Sequence, residues 1–349
     1  MSSAAVRTTG TSFGRPELVE RQIHQAVELL RAGELVAFPT ETVYGLGADA
    51  DNPGALAKIF KAKGRPADHP LIVHIPDVTH MAQWAWEVPD AARRLTAAFW
   101  PGPLTLILKR QPRVDDLVTG GQNTIGLRVP DHPLALQLLL QFNGGIAAPS
   151  ANRFGRISPT TADHVRDELG DRVALVLDGG PCAIGIESTI VDLSRGTPVI
   201  LRPGIISAEQ IEHVLSSPLS GGGCREAAGE GPTSRNQPTP RVSGSLDAHY
   251  APITPLRLVP SDEMPNQLQQ ALSAGHRVAV LSVQPIAIEG IHWYQAADNA
   301  SQYAHDLYAN LRMLDHAGVD LIMVESPPTS SEWLAVNDRL SRAARGAGA

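Results

Sequence analysis

The sequence predicts an α/β protein of two domains, the second a small parallel sheet. Three observations carry that expectation. The chain has 349 residues, more than one hydrophobic core ordinarily organises. Short apolar runs of strand length alternate with stretches of helical periodicity. A tract rich in Gly, Ser, Pro and charge at 216–245 interrupts the alternation, and with 43% of the chain apolar there is enough to fill a core on either side of it.

Residues 16–32 place Val19, Ile23, Ala26, Val27 and Leu30 at helical spacing, with Pro16 at the start and Gly33 just past the end. Strands are expected at 35–38, 71–73, 104–108 and 125–129, with helices at 55–61, 91–99 and 134–142 between them. Beyond the tract, apolar runs at 256–259, 278–281 and 321–324 alternate with helical patterns at 266–274, 300–317 and 331–344. That alternation is the signature of a parallel sheet. No repeat of about 20 to 50 residues is evident.

A formal net charge of -7 argues against a surface that grips nucleic acid throughout, because phosphate binding rests on clustered Lys and Arg. Any anion site must then be local. Two cysteines, Cys182 and Cys224, are too few for a disulfide framework or a thiolate metal site, which fits a reducing cytosol. The N-terminal stretch lacks the apolar centre of a signal peptide, and no run of about 18 apolar residues could span a bilayer. The expectation is a soluble, cytoplasmic protein without a membrane partner.

Four clusters could carry chemistry. Residues 38–47 (FPTETVYGLG) put hydroxyls, a carboxylate and a phenol between two strands, beside glycines that allow close backbone approach. Read alone, this is equally a hairpin whose threonines bond their own backbone. Lys58, Lys61 and Lys63 fall at a helix end with Arg65 following, which suits a triphosphate or, equally, a solvated helix C-terminus. The apolar strand after His69-Pro70 would hold Lys63 and Arg65 at its mouth. Ser150 and Asn152, in APSAN, could meet a phosphate and a ribose or form a turn. Residues 185–192 (GIESTIVD) set hydroxyls at the start of one strand, and Arg202 stands at the exit of the next, either in a site or as a surface cation. No Walker loop, dinucleotide fingerprint, H-E-x-x-H or zinc-spaced Cys/His set occurs. His69, His74 and His80 share no helix face, so they make a poor metal site.

Together these clusters resemble the YrdC-like threonylcarbamoyl-AMP synthases in their longer, two-domain form. The match runs through residues 16–215 as FPTETVYGLG, KGRP with HPLIVHI, FWPGPLTLIL, TIGLRVPDHPLALQLL, APSAN, SPTTA, LDGGPCAIGIESTIVDL and ILRPG. The family's K-x-R and S-x-N signatures fall on Lys63, Arg65, Ser150 and Asn152. Its H-Y-A-P motif falls on His249-Tyr250-Ala251-Pro252, and a looser likeness continues through Asn337-Asp338-Arg339-Leu340. His69 departs from the usual polar residue there, and Ser243-Gly244-Ser245 from a Pro-Gly.

The resemblance implies a YrdC-like twisted α/β sheet domain with a concave basic face at 1–215, a linker that doubles as an active-site lid at 216–252, and a smaller Rossmann-like parallel α/β domain at 253–349. It implies a nucleotidyltransferase that condenses L-threonine, bicarbonate or CO2, and ATP into threonylcarbamoyl-AMP and pyrophosphate. A downstream tRNA threonylcarbamoyl transferase would receive the product, and tRNA itself is a candidate contact. By similarity, Lys63 and Arg65 are the catalytic cations, and Thr42, His74, Arg128 and Ser188 bind threonine. ATP or bicarbonate falls to Lys63, Arg65, His69, Thr124, Ser150, Asn152, Arg202, His249 and Tyr250. Mg2+ is expected with the triphosphate, although no carboxylate cluster marks its ligands. Two other readings stand beside this one. An RNA-binding module would use the basic groove directly, and a carbamoyl-transfer domain would act on a protein, but the chain lacks the zinc-finger-like and acylphosphatase-like segments expected of the latter.

Overall fold

The computed structural model describes residues 16–217 and 238–348. Residues 1–15, most of the Gly/Ser/Pro tract and Cys224 within it lie outside the described residues. The N-terminal domain is built on a nine-stranded mixed sheet: β1 (Val36–Phe38), β2 (Gly45–Asp49), β3 (Ile72–His74), β4 (Leu104–Lys109), β5 (Thr124–Arg128), β6 (Ile146–Ala147), β7 (Leu175–Val176), β8 (Thr189–Asp192) and β9 (Val199–Arg202), in the order β7-β1-β2-β6-β3-β5-β4-β8-β9. The second sheet is wholly parallel: β10 (Leu256–Val259), β11 (Val278–Ser282), β12 (Ile291–Gln295) and β13 (Leu321–Glu325), in the order β10-β13-β11-β12.

Strand alternation decides where chemistry can sit. Successive side chains point to opposite faces. Val73, Leu104, Leu106, Leu108, Ile125, Leu127 and Val191 enter the main core with Leu56, Ile59, Leu95 and Val165 from the helices Pro53–Lys63, Asp90–Phe99 and Ala162–Leu169. The alternate members of the same strands therefore face the other way: Ile72 and His74 on β3, Thr105 and Ile107 on β4, Gly126 and Arg128 on β5. In the parallel β3–β5 register His74 stands beside Arg128. Ile107 and Ile190 are buried there against Val242, from the last part of the Gly/Ser/Pro tract.

The expected helices appear close to their predicted bounds. Pro16–Arg31 buries Ile23, Ala26, Val27 and Leu30 against Leu134, Leu138 and Leu139 of Pro133–Phe142. β7 escaped prediction because two residues hold no period, and β12 because it is a half-exposed edge strand without clean alternation. The two domains share one core. Val43, Ile157 and Ile186 pack with Leu307, Tyr308 and Ala343 from the helices Ala300–Asp315 and Leu334–Gly346. Among the described residues no helix is long and apolar enough to cross a membrane.

The helix that delivers Lys63 starts on Asn52, whose side chain accepts from the N–H groups of Gly54 and Ala55 at 3.0 and 3.2 Å. Asn52→Ala is expected to cost about 1 kcal/mol, read as a lowered urea midpoint at unchanged slope.

Candidate active site

The first wall is the loop between β1 and β2. Thr40 Oγ1 donates to the Val43 carbonyl at 2.6 Å and accepts from the N–H groups of Thr42 and Val43, both at 3.2 Å. The self-bonded turn and the functional loop are thus one object, since this knot fixes the two side chains that follow. Glu41 pairs through Oε1 with Arg128 Nη2 at 2.5 Å and accepts from the Asp131 N–H at 2.9 Å. Thr42 Oγ1 accepts from the same Nη2 at 2.9 Å, while Arg128 Nε donates to the Gly102 carbonyl at 3.3 Å. The guanidinium plane is therefore set by three neighbours at the end of β5. Beside it, burial and Arg128 push the His74 imidazole down to about 3, so it is neutral, and its Nδ1 has no protein partner.

The opposite wall is made by the start of β8 and the exit of β9. Arg202 is 3% exposed, so it is no surface cation. Its Nε and Nη2 donate to the Ser188 carbonyl at 3.1 and 2.9 Å, Nη2 also to Ser188 Oγ at 3.1 Å, and Nη1 to the Ser243 carbonyl at 2.9 Å. Ser188 Oγ lies 2.7 Å from Thr105 Oγ1 on β4. Glu187, buried next to Ser188, accepts from Ser158 Oγ at 2.6 Å, Tyr308 Oη at 2.9 Å and Arg339 Nε at 2.8 Å. Burial raises its carboxyl pKa, but Arg339, Arg202 and Ser158 outweigh that and hold it at about 2.

Lys63 and Arg65 occupy a margin of this site. Lys63 is buried at the end of its helix and not solvated, and Nζ donates to the carbonyls of Ser150 and Asn152. Burial, aided by Arg65, pulls its ammonium well below the usual lysine range. Arg65 donates from Nη2 to the Pro70 carbonyl at 2.9 Å and lies 5.7 Å from the ring centre of Phe154, while its Nε has no protein partner. Asn152 spends its amide N–H groups on the carbonyls of Arg153 and Arg156, both at 2.8 Å, leaving Oδ1 without a partner. An edge-to-face series of rings then runs from His69 to Phe154 at 5.2 Å, to His249 at 6.0 Å and to Tyr250 at 4.2 Å.

Of the residues singled out in the sequence, Thr42, His74, Arg128, Ser150, Ser188, Arg202, His249 and Tyr250 line one hollow of about 40 Å³. Lys63, Arg65, Asn152 and His69 stand behind its wall, tied to it through the Ser150 carbonyl and Phe154. Thr124 is apart, in a neighbouring recess of about 10 Å³ that shares Ile72 and Ser243 with the hollow. The sequence reading missed Glu41, Glu187 and Thr105, and also Arg339 and Tyr308 from the C-terminal domain. The signal for the two carboxylates was available: each is an acid next to hydroxyls inside an apolar stretch, where a buried counter-ion is needed. Among the described residues no three His, Cys, Asp or Glu side chains converge to hold a metal ion.

The family pattern named Sua5/yciO/yrdC, described as telomere recombination, matches residues 28–204, and a threonylcarbamoyl-AMP synthase C-terminal domain pattern matches residues 206–345. A threonylcarbamoyl-AMP synthase of Bacillus subtilis is 42% identical over 332 residues, covering 93% of this chain and 93% of the relative. A putative threonylcarbamoyl-AMP synthase of Mycobacterium tuberculosis is 43% identical over 200 residues, 57% of this chain and 92% of its own length. The crystal structure of the Pyrococcus abyssi protein Sua5 complexed with L-threonine superposes with a TM-score of 0.82 at 37% identity, covering 94% of this chain and 95% of that one. With its nine-stranded sheet, its second parallel sheet and these relatives along nearly its whole length, the chain belongs to the Sua5/YciO/YrdC family of threonylcarbamoyl-AMP synthases, in the form that carries the C-terminal domain.

Proposed function

We propose that the hollow condenses L-threonine, bicarbonate-derived CO2 and ATP into threonylcarbamoyl-AMP and pyrophosphate, a nucleotidyl transfer. The observation that carries this reading is the pairing of two buried guanidiniums, Arg128 and Arg202, across one hollow that also holds Ser188. Arg128, its plane set by Glu41, Thr42 and Gly102, recognises the amino-acid carboxylate through Nη1, the nitrogen those three neighbours do not use. Neutral His74 and the hydroxyls of Thr42 and Ser188 suit the amine and side-chain hydroxyl of threonine. The amine adds to CO2 and loses a proton, giving a carbamate. One carbamate oxygen attacks the α-phosphorus of ATP, and the bond to the β-phosphate bridging oxygen breaks as pyrophosphate leaves. A carbamate is already an anionic nucleophile, so the demand on the protein is positioning and neutralisation of crowded charge. Arg202, Lys63 and Arg65 meet that demand, with Ser150 and Asn152 beside them. Magnesium would arrive with the triphosphate, and no resident ligand set is assigned to it.

A hollow of about 40 Å³ holds water, not a nucleotide. Residues 243–250 on its roof are therefore a lid that lifts for ATP and closes over the mixed anhydride, excluding water. The lid is built to close in one way. Tyr250 sits in the left-handed region at φ 63°, and its hydroxyl fits against Gly244, where a Cβ would lie 2.1 Å from it. The Ala251 N–H donates to the Gly155 carbonyl at 2.9 Å and the His249 N–H to the Arg342 carbonyl at 3.2 Å. The RNA-module reading fares worse, because Lys63, Arg65, Arg128 and Arg202 are all buried, whereas a phosphate backbone is gripped by exposed cations. The product would pass to a tRNA threonylcarbamoyl transferase.

The test is mass spectrometry of the products from ATP, threonine and bicarbonate. Threonylcarbamoyl-AMP is expected with all three and should vanish when any one is omitted; its formation without threonine, or its absence with all three, ends the reading. Arg128→Lys is expected to raise the threonine KM about tenfold or more, the value of one lost charge-assisted bond, with the ATP KM changed far less. Equal effects on both substrates would remove Arg128 from the carboxylate.

Acid acts on the same buried groups. Burial holds the His74 and His249 imidazoles at about 3 and His164 at about 4, below the ordinary 6.5, so between these limits the unfolded chain takes up protons that the folded one refuses. Glu187, held at about 2 against an ordinary 4.5, acts with the same sign below pH 4.5. On account of these groups stability is expected to fall as the pH drops below 6.5, by about 1.4 kcal/mol per pH unit for each such group. Urea midpoints measured from pH 7 to pH 4 check this, and His74→Asn should flatten the slope.

A further inference from the structure

We infer that Arg339, from the C-terminal helix Leu334–Gly346, is a positioning residue that locks Ser188, Arg202 and the lid into one arrangement. The inference rests on the reaction proposed above and gives the C-terminal domain a role in it.

Arg339 is 0% exposed, and its donors bridge the two segments that carry Ser188 and Arg202. Nε donates to Glu187 Oε2 at 2.8 Å, and Nη2 to the Pro203 carbonyl at 3.1 Å. Glu187 immediately precedes Ser188, and Pro203 immediately follows Arg202, so one guanidinium grips the backbone neighbours of two residues of the same wall, Ser188 assigned to threonine and Arg202 to the nucleotide. Its remaining face lies 5.2 Å from the ring centre of Tyr250, the lid residue with left-handed backbone. Nη1 is fixed by Asp338 at 2.6 Å, and Asp338 in turn holds Arg342, which donates to the Leu246 carbonyl at the base of the lid. Tyr308, from the other docked helix, donates to Glu187 at 2.9 Å and stacks on Tyr250 at 5.7 Å. The loop cannot drift from these helices, because a Cβ on Gly185 would lie 2.3 Å from the His305 carbonyl oxygen.

Such a network is a poor choice if adhesion is the only need. A buried ion pair of this kind is commonly matched or bettered in stability by apolar side chains of similar volume. What apolar packing cannot do is fix directions. The guanidinium fork specifies where Glu187 and Pro203 stand to within hydrogen-bond tolerance, and through them where the Ser188 hydroxyl and the Arg202 guanidinium point.

The experiment uses the full chain and its variants Arg339→Met, Arg339→Lys, Tyr308→Phe and Glu187→Gln, with the double variant Glu187→Gln/Arg339→Met. Threonine-dependent pyrophosphate release gives separate KM and kcat values, filtration gives the fraction of adenylate still bound, and circular dichroism gives the melting midpoint. Arg339→Met is expected to raise the threonine KM about tenfold and to shed the adenylate, with Arg339→Lys recovering only part because it lacks the fork. Tyr308→Phe, which removes one hydroxyl and keeps the fold if Arg339→Met does not, should raise the same KM roughly threefold. The double variant should be no worse than the worse single one, as required if Arg339 acts through Glu187. Folded variants with a wild-type threonine KM and wild-type adenylate retention, whatever their melting midpoints, overturn the inference. Multiplying effects in the double variant do so too. A wild-type chain without threonine-dependent release defeats instead the reaction on which the inference rests.

Discussion

The structure turns on the burial of five cationic side chains, Lys63, Arg65, Arg128, Arg202 and Arg339, around a site with only two buried carboxylates among them, Glu41 and Glu187. A buried charge without compensation is prohibitively costly, so every one of these groups dictates the structure next to it. Arg128 demands Glu41, which demands the Thr40 knot. Arg202 and Arg339 share Glu187. Lys63 and Arg65, which have no carboxylate, take backbone carbonyls from Ser150, Asn152 and Pro70. The surplus of positive charge suits the region to the anionic substrates proposed above. It also accounts for the depressed Lys63 ammonium and for Arg65, which burial brings down to about 10: polyphosphate in the site would restore the charge that burial opposes.

An acidic protein, at a net -7, can hold such a region because the sheet separates the two problems. One face of β3, β4, β5 and β8 is aliphatic and fills the core, and the other carries His74, Thr105, Arg128 and, at the mouth of β8, Ser188. Period-two alternation therefore does the sorting, and the same strands that stabilise the fold position the chemistry. The lid residues complete the enclosure from the far side of the chain, which lowers the local dielectric and strengthens each contact within.

This separation explains what was legible in the sequence and what was not. Apolar periodicity marked the main helices and strands, and the motifs marked Arg128, Ser188 and Arg202, because each lies at a strand end with a strong local pattern. Local pattern could not say that Lys63 turns inward to two carbonyls, since a lysine at a helix end satisfies the macrodipole equally well in water. Nor could it separate Thr124, at the other end of β5 from Arg128 and in another recess. Arg339 and Tyr308 were invisible for a different reason. Their meaning depends on contacts with Glu187 across more than a hundred residues of chain, and a helical arginine beside an aspartate reads as an ordinary surface pair until the docking is known.

The strained turn at Tyr250 and the docked C-terminal helices depend on one another. A non-glycine residue at φ 63° costs of order 1 to 3 kcal/mol, and Tyr250 gains no hydrogen bond for its hydroxyl in return. What holds it is contact: the ring of Tyr308 on one side, Arg339 on another and Gly244 beneath the hydroxyl. The C-terminal domain thus supplies the contacts that keep Tyr250 in its left-handed turn, and they include the same guanidinium that grips the neighbours of Ser188 and Arg202.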